Sequence, residues 1–320
     1  MTAADSETVI SIVGLTKRFG GRTVVDDVAL DVRRGEIVGF LGPNGSGKTT
    51  TIRMICGLLK PDAGSGTCLG LDILTQSTRI KREVGYMTQR FSFYEDLTIR
   101  ENLDFVARVY DLDNRHARVT ETIARLGLER RRNQLAGSLS GGWKQRLALA
   151  ASVMHQPKLL LLDEPTAGVD PQARREFWDE IHRLAEDGLT VLVSTHYMDE
   201  AERCHRIVYI AYGRIVARGT VADVIARSGL FTIVVTGADV MKVAAAVRGR
   251  PGIEQIAPFG NDLHIVGTDP DLLKASVDAA IATVGGAVSA APGATGLEDV
   301  FIRLMQQAAV EDRSTDGAHR

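Results

Sequence analysis

The stretch FLGPNGSGKTT, residues 40–50, interrupts an apolar run with three glycines and then places a lysine before a row of threonines. It fits the pattern G-x-x-x-x-G-K-[ST], in which backbone N–H groups surround phosphate oxygens and the lysine reaches the outer phosphates. The apolar run GEIVGFL precedes the loop, and KTTTIRMICGLL, with helical spacing, follows it. Because the pattern requires a strand before it and a helix after it, the sequence predicts a phosphate-binding loop and not an ordinary glycine-rich turn.

The residues of this loop have separate expected roles. Gly45 and Gly47 allow the backbone to approach the phosphates closely, and Lys48 bridges the outer phosphates. The hydroxyl of Thr49 is placed to bind Mg²⁺, and the N–H of Thr50 adds to the anion site in the first helical turn. The predicted nucleotide-binding residues of the loop are Gly42, Pro43, Asn44, Gly45, Ser46, Gly47, Lys48, Thr49 and Thr50.

Two further apolar runs indicate the kind of sheet to which the loop belongs. LLLLD (159–163) and TVLVSTH (190–196) are uninterrupted, which is typical of central parallel strands that are buried on both faces. The segment between them has helical spacing, so the order is β-α-β, and right-handed crossovers bring the strand ends to one edge. Near the N-terminus, VISIVGL and TVVDDVALDV read as strands of an antiparallel subdomain, with a turn at Gly20-Gly21. The sequence therefore predicts an α/β protein with a P-loop core.

The rest of the chain divides into segments of different character. A polar, largely helical stretch interrupts the sheet pattern, and we expect an inserted helical subdomain at about 90–150 within a first domain spanning 8–225. From 229 to 305 the pattern suggests a small β-α-β-β-α-β unit, that is, a C-terminal α+β domain without evident chemistry. Residues 306–320 are predicted to be a disordered tail.

The motif LLLLDEPTAGVD supplies a pair of carboxylates at the end of a buried strand. Asp163 is expected beside the phosphate loop, where it can hold Mg²⁺. Glu164 follows where the strand emerges, and a carboxylate there can orient a water molecule and accept its proton during attack on a γ-phosphate. An Asp-Glu pair at a strand end alone favours an ordinary turn, but a neighbouring phosphate loop makes the catalytic interpretation the stronger one.

A second anion site is suggested by SLSGGWKQR. Ser140, Gly141 and Gly142 read as the N-terminus of a helix, with free N–H groups, the positive end of the dipole and no obstructing side chains. A plain serine N-cap followed by a glycine turn is the alternative interpretation. Because the chain already has one phosphate loop, a second anion site suggests that two chains share each nucleotide.

Bulk composition excludes several other classes of protein. A net charge of −2 gives no reason to expect nucleic-acid binding. Three cysteines without C-x-x-C spacing suggest reduced thiols and not a disulfide or zinc framework. No apolar run approaches the roughly 20 residues that cross a bilayer. The first nine residues have neither a basic region nor an apolar core, so we expect no secretion signal.

Together these motifs carry a family resemblance over residues 8–225. In order they are GPNGSGKTT, Gln89 in VGYMTQ, LSGGWKQR, LLLLDEPTAGVD and STH. The set resembles the ATP-binding subunit of an ATP-binding-cassette (ABC) transporter, with a RecA-like core. The segments FYEDLTIRENL, LDEPTAGVDP and THYMDEAERC resemble sequences of the drug- and antibiotic-exporter branch of this family.

The resemblance implies roles for several residues whose function the neighbouring sequence does not indicate. Phe19 would stack on adenine, the alternative being a core residue at a strand end. Gln89 would approach Mg²⁺ and the attacking water, together with Thr49 and Asp163 as the metal-site residues. His196 would contact the γ-phosphate. Ser140 to Gly142 would close over the γ-phosphate bound to the opposite subunit, and Asp170 would cross the dimer interface.

One position departs from the family pattern. Trp143 stands where the signature most often has glutamine. The Ser-Gly-Gly phosphate contacts do not depend on this position. The indole is expected either to pack on its own helix or to pack at the dimer interface.

The resemblance implies a subunit that hydrolyses Mg-ATP to energise an exporter. Its partners would be ATP, a multi-spanning membrane permease, and a second copy of itself or a homologous cassette, at the cytoplasmic face of the cell membrane. The cargo would be drugs or other small amphipathic molecules. A soluble ABC-type ATPase of DNA repair or ribosomes is an alternative, but the chain lacks the long coiled coils or paired cassettes of those classes. A P-loop kinase or GTPase is disfavoured by the Ser-Gly-Gly helix and by Glu164.

Overall fold

The computed structural model describes residues 7–317, with side chains described through residue 309. The chain divides into two compact units on either side of the Arg218–Gly219 bond. Part of the segment in which we expect no secretion signal, residues 1–6, lies outside the described residues, as do the last three residues of the predicted tail.

The first unit is built on a six-stranded sheet in the order β10-β9-β3-β8-β7-β6. Its strands are β3 (Ile37–Leu41), β6 (Val84–Met87), β7 (Leu159–Asp163), β8 (Thr190–Thr195), β9 (Arg206–Ala211) and β10 (Arg214–Gly219). The strands β9, β3, β8, β7 and β6 are parallel neighbours, and every residue of β3, β7 and β8 is buried. The predicted central parallel strands are therefore confirmed, and their carboxyl ends lie at one edge.

Helices cover both faces of this sheet, and alternate strand residues face opposite cores. Its helices are α1 (Lys48–Ile55), α5 (Gly141–Val153), α6 (Pro171–Glu186) and α7 (Met198–Ala201). Leu160 and Leu162 pack in one apolar cluster with residues of α5 and α6. Leu159 and Leu161 pack in the other cluster with residues of α1. Because both faces are apolar, the strands read as continuous apolar runs instead of alternating ones.

The same unit contains an antiparallel sheet and a helical insertion. The antiparallel strands, in the order β2-β1-β4-β5, are β1 (Thr8–Phe19), β2 (Arg22–Arg33), β4 (Ala63–Cys68) and β5 (Leu71–Asp72). The first two are joined at Gly20-Gly21, both with positive φ, as predicted. The remaining helices are α2 (Ser77–Glu83), α3 (Ile99–Val109) and α4 (Arg115–Arg125), with 3₁₀ turns at Glu129–Arg131 and Ala136–Ser138.

The second unit has the β-α-β-β-α-β order that the sequence predicts, preceded and followed by a helix. Its elements are α8 (Val221–Ser228), β11 (Phe231–Gly237), α9 (Val240–Val247), β12 (Gln255–Phe259), β13 (Asp262–Gly267), α10 (Pro270–Val284), β14 (Val288–Gly293) and α11 (Leu297–Gly317). The four strands form an antiparallel sheet in the order β12-β13-β11-β14.

The structure corrects the prediction of a disordered tail from residue 306. Helix α11 continues through Gly317, so residues 306–317 are helical. Leu297, Val300, Phe301 and Ala308 are buried at spacings of one helical face. This apolar stripe anchors the helix, and residues 306–309 are glutamine and alanine, which propagate a helix once it has begun.

Candidate nucleotide-binding site

The glycine loop joins the end of β3 to the start of α1 and needs its glycines. A Cβ atom on Gly42 would lie 2.1 Å from the backbone oxygen of Ile210, and one on Gly47 would lie 2.8 Å from that of Val24. Gly47 also has φ of 106°, which side-chain-bearing residues rarely adopt. The chain therefore holds this loop in a shape that only glycine allows, at the N-terminal end of a helix.

Lys48 is buried and folds over its own loop. Its Nζ donates hydrogen bonds to the carbonyl oxygens of Gly42 at 2.7 Å and Pro43 at 3.1 Å, and it lies 3.3 Å from Oε1 of Glu164. Burial lowers the pKa of Lys48, and attraction by Glu164 and Asp163 opposes part of that shift. The hydroxyl of Ser46 is also buried, with no hydrogen-bond partner in the described part of the chain. An anion in the loop would give the Ser46 hydroxyl a partner and would meet the positive charge of Lys48.

Asp163 and Thr49 form a pair of oxygen ligands beside the loop. Oδ1 of Asp163 accepts hydrogen bonds from the Thr49 hydroxyl and from the Ser194 hydroxyl, each at 2.9 Å. Carboxylate and hydroxyl oxygens are the hard ligands that Mg²⁺ prefers. This donor set fits the predicted magnesium ion.

Glu164 is the centre of the site. Its side chain is buried, and Oε2 accepts a hydrogen bond from Nε2 of Gln89 at 2.9 Å and lies 3.5 Å from Nδ1 of His196. Lys48 lies beside the other oxygen, Oε1, so Lys48, Gln89 and His196, from separate parts of the chain, surround this carboxylate. The structure thus brings together the four residues predicted to be catalytic. Gln89 contacts Glu164, whereas its predicted role at the metal stays a prediction.

The backbone of Glu164 is held in an unusual conformation by Ser194. Glu164 has φ of 48°, in the left-handed region that disfavours non-glycine residues. Its N–H group donates to the hydroxyl of Ser194 at 3.0 Å and to the carbonyl oxygen of Ser194 at 3.2 Å. Ser194 was not among the predicted site residues, although it begins the STH motif and lies opposite Asp163 in the parallel register.

Phe19 lies at the end of β1 and is 49% exposed. The Nζ atom of Lys17 is 5.6 Å from the centre of its ring. This exposure excludes the alternative of a core phenylalanine and leaves a ring face available to a planar base. Asn44 and Gly45, at the tip of the glycine loop, are exposed as well.

The Ser-Gly-Gly segment begins α5, as predicted, but Ser140 does not act as an ordinary cap. Its exposed side chain makes no capping hydrogen bond. Gly142 is packed against α6, because a Cβ atom there would lie 2.6 Å from Cβ of Ala173. Asp170 caps α6 by accepting a hydrogen bond from the N–H of Ala173 at 3.0 Å, and its role across a dimer interface stays a prediction. Among residues 7–317, no hydrogen bond or ion pair joins Ser140 to the glycine loop.

Trp143 packs within its own subunit. The guanidinium carbons of Arg131 and Arg146 lie 4.6 Å and 5.2 Å from its ring centre. The partly buried ring also packs against the apolar cluster that contains α5 residues. Of the two expectations for this residue, the structure shows the intrachain packing.

Replacing Trp143 with glutamine should lower the free energy of unfolding by about 1–2 kcal/mol, because two cation–π contacts of about 0.5–1 kcal/mol each are lost. Urea denaturation followed by circular dichroism measures the change. Trp143→Phe is the matched variant, since it keeps an aromatic face and should retain most of that stability. A Trp143→Gln chain as stable as the native one would show that the two arginine contacts contribute nothing.

Comparisons with known proteins agree with this geometry. The family model of ABC transporters matches residues 25–167. The chain is 47% identical over 224 residues to the probable multidrug ABC transporter ATP-binding protein YbhF of Escherichia coli (strain K12), which covers 69% of this chain. It is 36% identical over 325 residues to the daunorubicin/doxorubicin resistance ATP-binding protein DrrA of Streptomyces peucetius, which covers 97% of this chain.

A solved structure shows the same cassette fold. It is the dimeric structure of the ATP-binding cassette MJ0796 in a post-hydrolysis state bound to ADP and Pi. The TM-score is 0.61 at 29% sequence identity, over 66% of this chain and 98% of that one.

The chain belongs to the ABC transporter family and is one of its ATP-binding proteins. The predicted family and the predicted P-loop α/β core are thereby confirmed. The chain spans 39% of the length of YbhF and 96% of the length of DrrA.

Proposed function

We propose that this chain is the ATP-hydrolysing subunit of an exporter, and that Mg-ATP lies between the glycine loop of one copy and Ser140–Gly142 of a second. The observation that carries the proposal is the convergence of Lys48, Gln89 and His196 on one buried carboxylate, Glu164. A carboxylate with these neighbours, at the mouth of a phosphate loop, is suited to act as a base on a water molecule.

Each group of the site has a part in this mechanism. The glycine loop and Lys48 bind the phosphates, and Lys48 places positive charge on the outer ones. Glu164 orients the attacking water and takes its proton, while Gln89 and His196 hold that carboxylate from two sides. Thr49 and Asp163 would hold Mg²⁺, which supplies positive charge to phosphate oxygens when it is bound.

The separation of the two anion-binding segments within one copy supports sharing of the nucleotide between two copies. The Ser140 hydroxyl and the start of α5 are exposed and make no contact with the glycine loop of their own chain among the described residues. A helix N-terminus of this kind binds anions. The dimeric MJ0796 cassette supports the association of two copies, and a homologous cassette could take the place of the second.

Exposed apolar side chains on α3 and in the segment that follows Gln89 along the chain support a permease as partner. Tyr94, Phe105 and Val109 are 52%, 43% and 66% exposed, and the rings of the first two meet edge to face at 5.2 Å. Grouped exposed apolar side chains of this kind mark interaction sites. None of the helices described in residues 7–317 has the length and apolar character that crossing a membrane requires.

This partner would place the chain at the cytoplasmic face of the cell membrane. The names of YbhF and DrrA, multidrug transport and daunorubicin/doxorubicin resistance, support drugs or other small amphipathic molecules as cargo. The alternative of an ATPase of DNA repair or ribosomes receives no support from these relatives.

Affinity purification of the full chain from detergent-solubilised native membranes, followed by mass spectrometry, tests this proposal. We expect a multi-spanning protein in stoichiometric amount, and we expect the double variant Tyr94→Ser, Phe105→Ser to lose it while still binding ATP. Leu272→Ser, an exposed apolar residue of the second unit, is the matched control. Recovery of the chain alone, or with ribosomal or repair proteins, would contradict the exporter proposal.

A further inference from the structure

A buried glutamate that has no role in the mechanism described above lies close to the site. Glu200, in α7, is 1% exposed. Oε2 of Glu200 accepts a hydrogen bond from the Thr195 hydroxyl at 2.6 Å, and Oε1 accepts one from the Thr166 hydroxyl. Nε of Arg174 lies 3.6 Å from Oε1. A charged group is costly to bury unless it is paired and hydrogen-bonded, and these three neighbours supply that compensation.

The neighbours of Glu200 come from three segments that carry site residues. Thr166 is two residues after Glu164, in the loop that follows β7. Thr195 ends β8 and directly precedes His196. Arg174 lies in the first turns of α6, which Asp170 caps. The carboxylate of Glu200 therefore contacts the three segments that contain Glu164, His196 and Asp170.

A second set of contacts connects Glu200 to the histidine ring. The guanidinium carbon of Arg174 lies 4.1 Å from the ring centre of Tyr197, and that ring lies 4.2 Å from the ring of His196. The N–H of Tyr197 also donates to the Thr195 hydroxyl at 3.0 Å. Contacts thus connect Glu200 to His196 by two routes, one through Thr195 and one through Arg174 and Tyr197.

We propose that Glu200 is a positioning residue for ATP hydrolysis, which fixes His196 and Glu164 relative to each other. The distance that it controls is the 3.5 Å between Nδ1 of His196 and Oε2 of Glu164. Ser194 joins β8 to the end of β7 through Asp163 and Glu164, whereas Glu200 joins the last residue of β8 to the loop that follows β7. This inference rests on the proposed ATPase function.

Glu200→Gln should lower kcat by about 10- to 100-fold, because small displacements of catalytic groups have effects of this size. Glutamine keeps the shape of the side chain but cannot accept hydrogen bonds on both of its terminal atoms. The affinity for ATP should stay within about twofold, because the glycine loop and Lys48 are held by β3 and α1. Steady-state phosphate release gives kcat, and equilibrium binding of ATP to the full chain gives the affinity.

Two further sets of variants keep the test decisive. Glu202→Gln removes an exposed carboxylate two residues away and should leave kcat unchanged. If Glu200→Gln does not fold, Thr195→Val and Thr195→Ser replace it, because serine keeps the hydroxyl that contacts Glu200 and valine keeps only the shape. We expect valine to lower kcat and serine to preserve it.

The outcomes separate this inference from the function on which it rests. A normal kcat in Glu200→Gln, or a kcat that falls together with ATP affinity and thermal stability, would overturn the positioning role. Equal kcat values for Thr195→Val and Thr195→Ser would do the same. A native chain that binds no ATP and releases no phosphate would instead overturn the proposed function itself.

Discussion

Replacing Glu164 with glutamine should lower ATP turnover by about 100-fold or more while ATP still binds. Glutamine has nearly the same shape, so the loop and the hydrogen-bonding neighbours Gln89 and Ser194 can stay in place. It cannot take a proton from water, and the loss of a general base has an effect of this size. Phosphate release and equilibrium ATP binding, measured on the same preparation, check both parts of the prediction.

The matched control is again Glu202→Gln, which removes a carboxylate from an exposed position. It should hydrolyse ATP at the rate of the native chain. Near-normal turnover in Glu164→Gln would contradict the assignment of Glu164 as the base. Loss of ATP binding together with turnover would show that the substitution disturbs the loop.

Replacing Lys48 with alanine should weaken ATP binding by about 10- to 100-fold or more. Hydrogen bonds to a charged group contribute about 1.5–3 kcal/mol each, and Lys48 is the buried cation of the phosphate loop. The substitution also leaves the buried carboxylate of Glu164 without its cationic neighbour at 3.3 Å, so thermal stability should be measured alongside binding.

Isothermal titration of ATP into the variant and the native chain measures the difference. Lys60→Ala is the control, because Lys60 is exposed and only its backbone oxygen makes a described contact. Equal ATP affinity in Lys48→Ala and in the native chain would count against the phosphate loop as the main source of binding.

The parts of the fold with strong local signals could be predicted from the sequence. The uninterrupted apolar runs of β7 and β8 clearly indicated central parallel strands. Both faces of such a sheet are covered by helices, so every residue of the strand can be apolar. The carboxyl ends of such strands share one edge, which predicts Asp163 beside the phosphate loop, and the structure has its Oδ1 atom 2.9 Å from the Thr49 hydroxyl.

Other parts of the site depend on register and long-range contacts that a single sequence does not show. Ser194 begins the STH motif, but its contact with Asp163 depends on the register of neighbouring strands. Glu200 has its role because Thr166 and Thr195 converge on it in space. Trp143 packs on Arg131, twelve residues earlier, which helical periodicity in α5 does not indicate.

The helix α11 was missed for a different reason. The composition after residue 305 is polar and charged, which favours disorder when it is read alone. The helix begins earlier, however, and its buried Phe301 and Ala308 lie on the same face. Propagation from an anchored start costs little, so the helix extends beyond its apolar stripe.

In the proposed mechanism, each ATP is held between two copies of this chain. The most direct test is the molar mass of Glu164→Gln in solution with and without Mg-ATP, measured by light scattering after size-exclusion chromatography. We expect the molar mass to double with Mg-ATP and to equal that of one chain without it. We expect no doubling when Ser140→Arg is added to block the second anion site. A Glu164→Gln chain that binds ATP and remains a monomer would contradict the claim.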